Sequence, residues 1–174
     1  MQQTPAQKFT GLIFLRDVAL GLFLWLLLTA TVGEARVVPS GSMEPTIQIG
    51  DRVWTDKLFV KFDTLHRGDI VVFDPPFPTD LPYIKRIIGL PDETVEVKGG
   101  YVWIDGRPLV EPYADSPDYR YGPVTVPPGQ YLVLGDNRNV SYDSHRWGFV
   151  ERERITARAL FRIWPFGRVG RMAE

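Results

Sequence analysis

The hydrophobic and polar positions divide the chain into two regimes. Residues 18–32 read VALGLFLWLLLTATV, and this apolar run extends back through residues 11–15. At a rise of about 1.5 Å per residue, roughly 20 helical residues cross the ~30 Å hydrocarbon core of a bilayer. The pattern therefore predicts a transmembrane helix over residues 11–33, preceded by a short cytoplasmic N-terminus at residues 1–10.

Charged residues refine this prediction. Arg16 and Asp17 interrupt the apolar run, and they either pair or let Arg16 extend its guanidinium towards the interface. Lys8 and Arg16 precede the apolar core and favour a cytoplasmic N-terminus. A cleaved secretory signal and a buried core helix are the alternatives. Residues 34–36 make a poor cleavage site, and the run lacks the polar stripe of a surface helix, so a retained anchor is favoured.

After residue 36, short apolar runs alternate with turn residues. The glycines at 99 and 100 supply the positive φ angles of a tight hairpin turn within residues 94–104. Two proline-rich stretches, 74–82 and 108–128, are predicted to be loops because proline cannot donate to a β-ladder. The pattern predicts a mainly β domain over residues 34–174, with strands at 47–54, 70–73, 83–90, 94–97, 101–104, 131–134 and 155–164.

Composition narrows the possible functions. Hydrophobic residues make up 44% of the chain and charged residues 24%, which is sufficient for a packed core. The net charge is −1, with 20 basic and 21 acidic residues, so no broad basic surface for nucleic acid is expected. The chain has no cysteine, which excludes thiol catalysis, disulfides and zinc–thiolate sites.

The first candidate for chemistry is residues 39–46, PSGSMEPT. A Ser-Gly-Ser turn between prolines holds a small hydroxyl on a constrained, exposed backbone, which is how a nucleophile is presented. An ordinary linker is the alternative, since Ser, Gly and Pro are common in loops.

The second candidate is residues 83–89, YIKRIIG. Strand alternation places Lys85 and Arg86 on opposite faces, each beside apolar side chains, so at least one cation is expected in a partly dry environment. Desolvation lowers the pKa of a lysine, and a fall from ~10.4 to about 7–8 corresponds to roughly 4 kcal/mol. Such a lysine can deprotonate a serine near neutral pH. A solvated lysine on an edge strand is the alternative.

The third candidate is residues 135–146, GDNRNVSYDSHR, a loop rich in short hydrogen-bonding side chains. It is either structural or supplies a hydroxyl that orients the lysine amine. A Ser-His-Asp triad of Ser42, His145 and Asp143 is disfavoured because aspartate at i does not normally orient a histidine at i+2. A metal site is disfavoured because neither His66 nor His145 shows ligand spacing. Residues 67–73, RGDIVVF, are predicted to be scaffold.

Taken in order, these segments resemble the type I signal peptidases, the Ser-Lys proteases of bacterial and thylakoid membranes. The resemblance rests on four motifs that follow an apolar anchor: PSGSMEPT, RGDIVVF, YIKRIIGLP and GDNRNVSYDSHRWG. It implies a signal-peptidase-like β domain behind one N-terminal transmembrane helix. Residues 34–38 also resemble members from cyanobacteria and chloroplasts.

The resemblance implies a role for each site residue. Ser42 is the nucleophile and Lys85 its general base. Ser40 donates its hydroxyl to the oxyanion hole beside the Ser42 backbone N–H, and Ser141 holds the Lys85 amine. Many members have arginine directly after the Asp-Ser pair, where this chain has His145. Three further side chains brace the surrounding loop: Asp136, Asp143 and Ser144.

The implied activity is cleavage of signal peptides from exported preproteins after small residues, without metal or organic cofactor. Ser42 follows the anchor by about ten residues, a reach of at most ~35 Å, so catalysis is expected at the outer surface of a plasma or thylakoid membrane. The lipid bilayer is then a second partner, touched also by Phe77 and Leu81. A self-cleaving repressor on the same fold and a noncatalytic, anchored β domain are the rivals, and the former would need no anchor.

Overall fold

The N-terminal apolar segment forms helix α1, Pro5–Thr31, in the computed structural model, which describes residues 5–79 and 81–172. Arg16 donates to the Asp17 carboxylate from Nε and Nη2 at 3.0 and 2.8 Å, so the pairing considered from the sequence is present. Among the residues described, no helix is sufficiently long and apolar to cross a membrane. The predicted transmembrane helix at residues 11–33 is not supported by this finding, and residues 1–4 lie outside the described part.

Strands make up most of the remaining chain. Helices α2, Lys57–Phe62, and α3, Ser144–Trp147, are short, and one-turn 3-10 helices occupy Gly41–Met43, Arg152–Arg154 and Phe166–Arg168. The strands are β1 Gly33–Val37, β2 Arg52–Asp56, β3 Ile70–Phe73, β4 Tyr83–Gly89, β5 Thr94–Lys98, β6 Tyr101–Ile104, β7 Arg107–Pro108, β8 Tyr121–Thr125, β9 Gln130–Leu134, β10 Val150–Glu151, β11 Ile155–Trp164 and β12 Gly170–Arg171. The prediction of a mainly β fold is confirmed.

The strands form two antiparallel sheets. The larger has the order β1-β2-β11-β3-β4-β9-β10, with β12 paired to β11, and the smaller has the order β7-β6-β5-β8. The predicted hairpin is β5–β6, and its turn uses Gly99 and Gly100 at φ 59° and 81°. Ile88, Leu132 and Leu134 of the larger sheet pack with Val95 and Val97 of the smaller, so one apolar cluster joins the two sheets.

Two sequence predictions about strands were wrong. The strand predicted at 47–54 begins only at Arg52, because residues 47–51 form a turn in which Asp51 accepts from the Gln48 N–H at 2.9 Å. The stretch 108–128 is not wholly a loop, since it contains β8. Proline is tolerated in β8 because that strand lies at an edge of its sheet.

Strand β4 is central and buried on both faces. It lies between β3 and β9, and Ile87 packs into one apolar cluster while Ile88 packs into another. Lys85 is 4% exposed and Arg86 is 1% exposed. The expectation that at least one of these cations is desolvated is therefore confirmed for both. The alternative of a solvated lysine on an edge strand is wrong.

Candidate active site

Ser42 lies in the 3-10 turn Gly41–Met43, directly after β1. The turn is fixed because Glu44 N–H donates to Gly41 O at 3.2 Å and Ile47 N–H donates to Met43 O at 2.8 Å. Met43 is completely buried, so its side chain anchors the turn in the core while the neighbouring Ser42 retains 9% exposure. The backbone therefore holds the serine at the edge of the core, facing the sheet.

Lys85 reaches Ser42 from the middle of β4. Its Nζ lies 2.7 Å from Ser42 Oγ and 3.1 Å from the carbonyl oxygen of Ile84. The Tyr83 ring centroid is 5.5 Å from the same nitrogen. The two residues are separated by 43 positions in sequence, yet the distance suits direct proton transfer.

The environment of the amine favours its neutral form. Burial lowers the pKa of Lys85 from 10.5 to about 8, against the opposing effect of the carboxylates of Asp143 and Asp136, which favour the charged form. Desolvation has the larger effect on this pKa because the buried ammonium loses its hydration shell. Among the described residues it donates hydrogen bonds to only two oxygens, Ser42 Oγ and Ile84 O. An appreciable fraction of Lys85 is thus uncharged near neutral pH.

The loop after β9 is tied to the strand that carries Lys85. Asp136 accepts from Arg86 Nε at 2.9 Å and from Arg86 Nη2 at 2.8 Å, and the Arg86 guanidinium also donates to Gly68 O at 3.0 Å. Asp136 is 0% exposed, so this is a buried bidentate ion pair. It joins the loop to the residue that follows Lys85.

Asp143 and Ser144 hold the other end of this loop. The Asp143 carboxylate accepts from Gly135 N–H at 2.9 Å, and Ser144 Oγ accepts from Val133 N–H at 2.9 Å. Both side chains are buried. These contacts close residues 133–144 into a braced loop.

His145 differs from the sequence expectation. Its Nδ1 lies 2.7 Å from Asp143 Oδ1, and its ring stacks on Tyr119 with centroids 4.2 Å apart. Aspartate at i does not normally orient a histidine at i+2, but it does here, because Asp143 is the N-cap of α3 and its backbone is extended. The hydroxyl of Ser42, however, contacts Lys85 and Ser40 rather than this histidine.

Ser40 and Ser141 flank the pair in different ways. Ser40 Oγ is exposed and 3.4 Å from Ser42 Oγ, so it lies on the open side of the nucleophile. Ser141 Oγ is buried without a hydrogen-bond partner among the described residues. The expected hydrogen bond between Ser141 and the Lys85 amine is therefore absent, and the hydroxyl lies beside Gly135.

Sequence reasoning missed two supports of the nucleophile. Asn137 donates from its backbone N–H to Ser42 O at 3.2 Å and from Nδ2 to Gly41 O at 3.1 Å. Gly135 leaves room for this approach, since a Cβ there would lie 2.3 Å from Ser42 O. Both residues are within the quoted loop motif, but contacts across more than 90 positions leave no signal in a single sequence.

A buried ion pair was also missed. Arg138 donates from Nη1 and Nη2 to the Glu111 carboxylate at 2.8 and 2.7 Å, and Tyr113 lies over the Arg86 guanidinium at 3.8 Å. Residues 111–113 thus cover the loop from outside.

In the described residues, no group of three or more His, Cys, Asp or Glu side chains is placed to hold a metal ion.

Comparison with known proteins identifies the family. The family profile described as "Signal peptidase, peptidase S26" matches residues 12–164. The chain belongs to this signal peptidase family. It is 46% identical over 166 residues to "Signal peptidase I" of Leptolyngbya laminosa, covering 91% of this chain and 82% of that protein. It is 52% identical over 152 residues to "Probable signal peptidase I-2" of Synechocystis sp., covering 82% and 68%.

A solved structure supports the same family. The crystal structure of a signal peptidase I from Enterococcus faecalis matches with a TM-score of 0.50 and 32% sequence identity, covering 55% of this chain and 97% of that chain. The peptidase described here is accordingly a hydrolase of the serine protease class with a fold similar to that of signal peptidase I.

Proposed function

We propose that this peptidase cleaves signal peptides from exported preproteins with a Ser-Lys dyad, in which Ser42 is the nucleophile and Lys85 the general base. The observation that carries the proposal is the 2.7 Å contact between Lys85 Nζ and Ser42 Oγ inside a buried site. The substrate class is supported by family membership and by relatives named signal peptidase I.

The acylation step follows from this contact. Neutral Lys85 takes the Ser42 proton while Oγ forms a bond to the scissile carbonyl carbon, and the carbonyl oxygen becomes an oxyanion. Collapse of this tetrahedral intermediate breaks the C–N bond, and the Lys85 ammonium returns the proton to the leaving amine. The serine is left as an ester of the signal-peptide carboxyl group.

Deacylation again uses Lys85 as the base, with water as the nucleophile and Ser42 as the leaving group. Lys85, neutral again, takes a proton from water as the water oxygen attacks the ester carbonyl. The C–Oγ bond then breaks and Ser42 recovers its proton. Each step needs one proton acceptor whose pKa is near the working pH. Lys85 is suited to this role because burial lowers its pKa to about 8.

Two serines have supporting roles in this proposal. Ser40 donates its hydroxyl to the oxyanion together with the Ser42 backbone N–H, and its exposed position beside Ser42 Oγ supports that role. A single donor aimed at developing charge contributes about 10²–10³ in rate in other enzymes. Ser141 turns its unpartnered hydroxyl to the Lys85 amine during turnover, which would also satisfy a buried group.

We further propose attachment to a lipid bilayer through α1, with the catalytic domain on the extracytoplasmic side of a plasma or thylakoid membrane. The described side chains of α1 include many exposed apolar groups, and Phe14, Leu15 and Phe23 are each more than 60% exposed. Ser42 follows the end of α1 by 11 residues, which keeps the site close to the helix. Small residues before the cut are expected from the resemblance.

Incubation with a detergent-solubilised preprotein tests the activity. The wild-type chain should shorten the preprotein by its signal peptide, whereas Ser42→Ala and Lys85→Ala should leave its length unchanged while remaining folded. Lys85→Arg should also be inactive, because a guanidinium does not deprotonate near neutral pH. Ser40→Ala should be slower but active. Turnover by a folded Ser42→Ala or Lys85→Ala protein would reject the assigned role, and an uncut preprotein would favour a binding domain.

Flotation with phospholipid vesicles tests the attachment. The full chain should float with the vesicles, and Leu22→Arg with Leu24→Arg should abolish flotation, since charges on α1 are costly in hydrocarbon. Phe62→Ser is the control, because Phe62 is also apolar and even more exposed but lies on α2. Flotation that survives the double arginine variant would reject α1 as the attachment.

A further inference from the structure

Phe77 is the one aromatic residue in the proline-rich loop of residues 74–82. Sequence reasoning placed it against lipid together with Leu81. In the structure Leu81 is 65% exposed, but Phe77 is partly buried and turns back onto the domain. The two side chains therefore face different environments, and only Leu81 keeps the exposure that lipid contact requires.

Phe77 joins three elements that surround the active site. Its ring makes edge-on contacts with Tyr83 of β4, Tyr142 of the braced loop and Trp147 of α3, with centroid distances of 5.6, 5.7 and 6.1 Å. Phe73 completes the cluster with contacts to Tyr83 at 6.3 Å and to Trp147 at 5.9 Å. Edge-on aromatic pairs stabilise a cluster beyond the apolar area that they bury.

The cluster adjoins the general base through Tyr83. The Tyr83 ring is the aromatic group whose centroid lies 5.5 Å from Lys85 Nζ, and Phe77 packs on that ring. Tyr142, another partner of Phe77, directly follows Ser141 in the loop that holds the other side of the site. Phe77 thus links the strand that carries Lys85 to the loop that contacts the backbone of Ser42.

The described residues of the loop that carries Phe77 make few hydrogen bonds to the domain. Asp74 N–H donates to Arg154 O at 3.0 Å, and Arg154 Nη1 donates to Pro75 O at 3.3 Å. Beyond Pro75, the described backbone of the loop is tied by a bond from Leu81 N–H to Thr79 Oγ1 at 3.3 Å, which is internal to the loop. The Phe77 side chain is therefore the main contact that holds the loop tip against the domain.

We propose that Phe77 is a positioning residue that closes the aromatic wall of Phe73, Tyr83, Tyr142 and Trp147 and keeps water from the Lys85 amine. The inference rests on the proposed role of Lys85 as general base. Phe77 acts through Tyr83 rather than on the substrate, so its loss changes the protonation of the lysine instead of removing a catalytic group.

The direction of the effect follows from the charges around the amine. Asp143 and Asp136 favour the ammonium form, Asp136 is paired with Arg86, and Asp143 contacts His145. On the side of the sheet, the Lys85 amine faces the Tyr83 ring. The residue that pairs with Lys85 on β3 is the apolar Val71. Exclusion of water is thus what favours the neutral form, and admitting water allows the two carboxylates to raise the pKa of Lys85.

The test measures the protonation of Lys85 and the pH dependence of cleavage in the full chain. The pKa of Lys85 is read by NMR of lysine labelled at Cε and Nζ, assigned by comparison with Lys85→Met. Phe77→Ala should raise the NMR pKa by roughly 0.5–1 pH unit and move the acid limb of kcat/KM upward by the same amount, a three- to tenfold loss at pH 7. Activity should recover at high pH, which a loss of folding would not allow.

Matched variants complete the experiment. Phe77→Tyr should keep the wild-type pKa and pH profile, and Phe77→Leu should be intermediate. Phe62→Ala should change neither, because the Phe62 ring is 85% exposed. An unchanged Lys85 pKa in folded Phe77→Ala, or in Phe77→Leu where the alanine variant does not fold, overturns the proposal. The NMR titration needs no turnover, so it decides the role of Phe77 even if preproteins are not cleaved and the proposed function fails.

Discussion

Arg86 and Asp136 form a bidentate ion pair with 1% and 0% of their side chains exposed. The pair connects the strand that carries Lys85 to the loop that contacts the backbone of Ser42. The two candidate catalytic residues are thereby held by one rigid connection rather than by independent loops.

Breaking the pair should be strongly destabilising. Asp136→Asn leaves the Arg86 guanidinium buried without a countercharge, and we expect the free energy of unfolding to fall by about 3–5 kcal/mol. Chemical denaturation measures this change. The double variant Arg86→Met with Asp136→Leu should lose less than Asp136→Asn alone, because it leaves no isolated charge.

The exposed pair of Arg154 and Glu151 is the control. Their side chains are 42% and 56% exposed, so Glu151→Gln should change stability by less than about 0.5 kcal/mol. Equal effects of Asp136→Asn and Glu151→Gln would mean that the buried pair does not hold the site.

Gly135 should not tolerate a side chain. A Cβ at this position would lie 2.3 Å from both Ser42 O and Ser141 Oγ, so Gly135→Ala must push the loop away from the nucleophile. We expect a stability loss of about 1–3 kcal/mol and, if Ser42 moves by ~1 Å, a fall in kcat/KM of roughly a hundredfold. Gly167→Ala is the control, since nothing lies within 4 Å of its Cβ position. Similar kinetics for both variants would contradict the close approach of the loop.

Ser141→Ala separates catalysis from stability. The hydroxyl has no hydrogen-bond partner among the described residues, so its removal should change the free energy of unfolding by less than about 0.5 kcal/mol. Cleavage of a preprotein should nevertheless slow about tenfold or more under the proposed role, in which the hydroxyl orients the Lys85 amine during turnover. Wild-type kcat/KM in this variant would remove Ser141 from the site.

Lys85 should reduce stability at neutral pH. Its folded pKa, about 8, is below its ordinary 10.5, so the unfolded chain binds more protons and stability rises as the pH passes from 8 to 10.5. Below pH 8 the buried lysine lowers the free energy of unfolding by its full amount, about 3 kcal/mol at roughly 1.4 kcal/mol per pH unit of pKa shift. Lys85→Met should therefore be more stable than wild type at pH 7, and the difference should shrink towards pH 10.5. A constant difference in denaturation midpoints across this range would contradict a desolvated lysine.

The local pattern was sufficient to predict much of the fold. Strands at residues 70–73, 101–104 and 155–164 have the predicted bounds because turn residues flank short apolar runs. The glycines at 99 and 100 identified the hairpin because their positive φ angles are a local requirement. The edge strand β8 was missed because its stability comes from pairing with β5, which no local pattern records.

The sequence indicated which residues lie near the candidate site better than it indicated the contacts between them. Alternation along β4 indicated that a cation would be buried, and Lys85 and Arg86 both are. The orientation of Asp143 towards His145 was misjudged, because it depends on the capping geometry of α3. The position of Phe77 depends on rings from three separate elements and was not visible in the sequence.

The pH dependence of preprotein cleavage, measured on the enzyme whose Lys85 is titrated by NMR, tests the central claim most directly. If neutral Lys85 deprotonates Ser42, the acid limb of kcat/KM and the titration of Lys85 share a midpoint near the pKa of about 8. Full activity at a pH where the same NMR signal shows Lys85 still protonated would contradict the account.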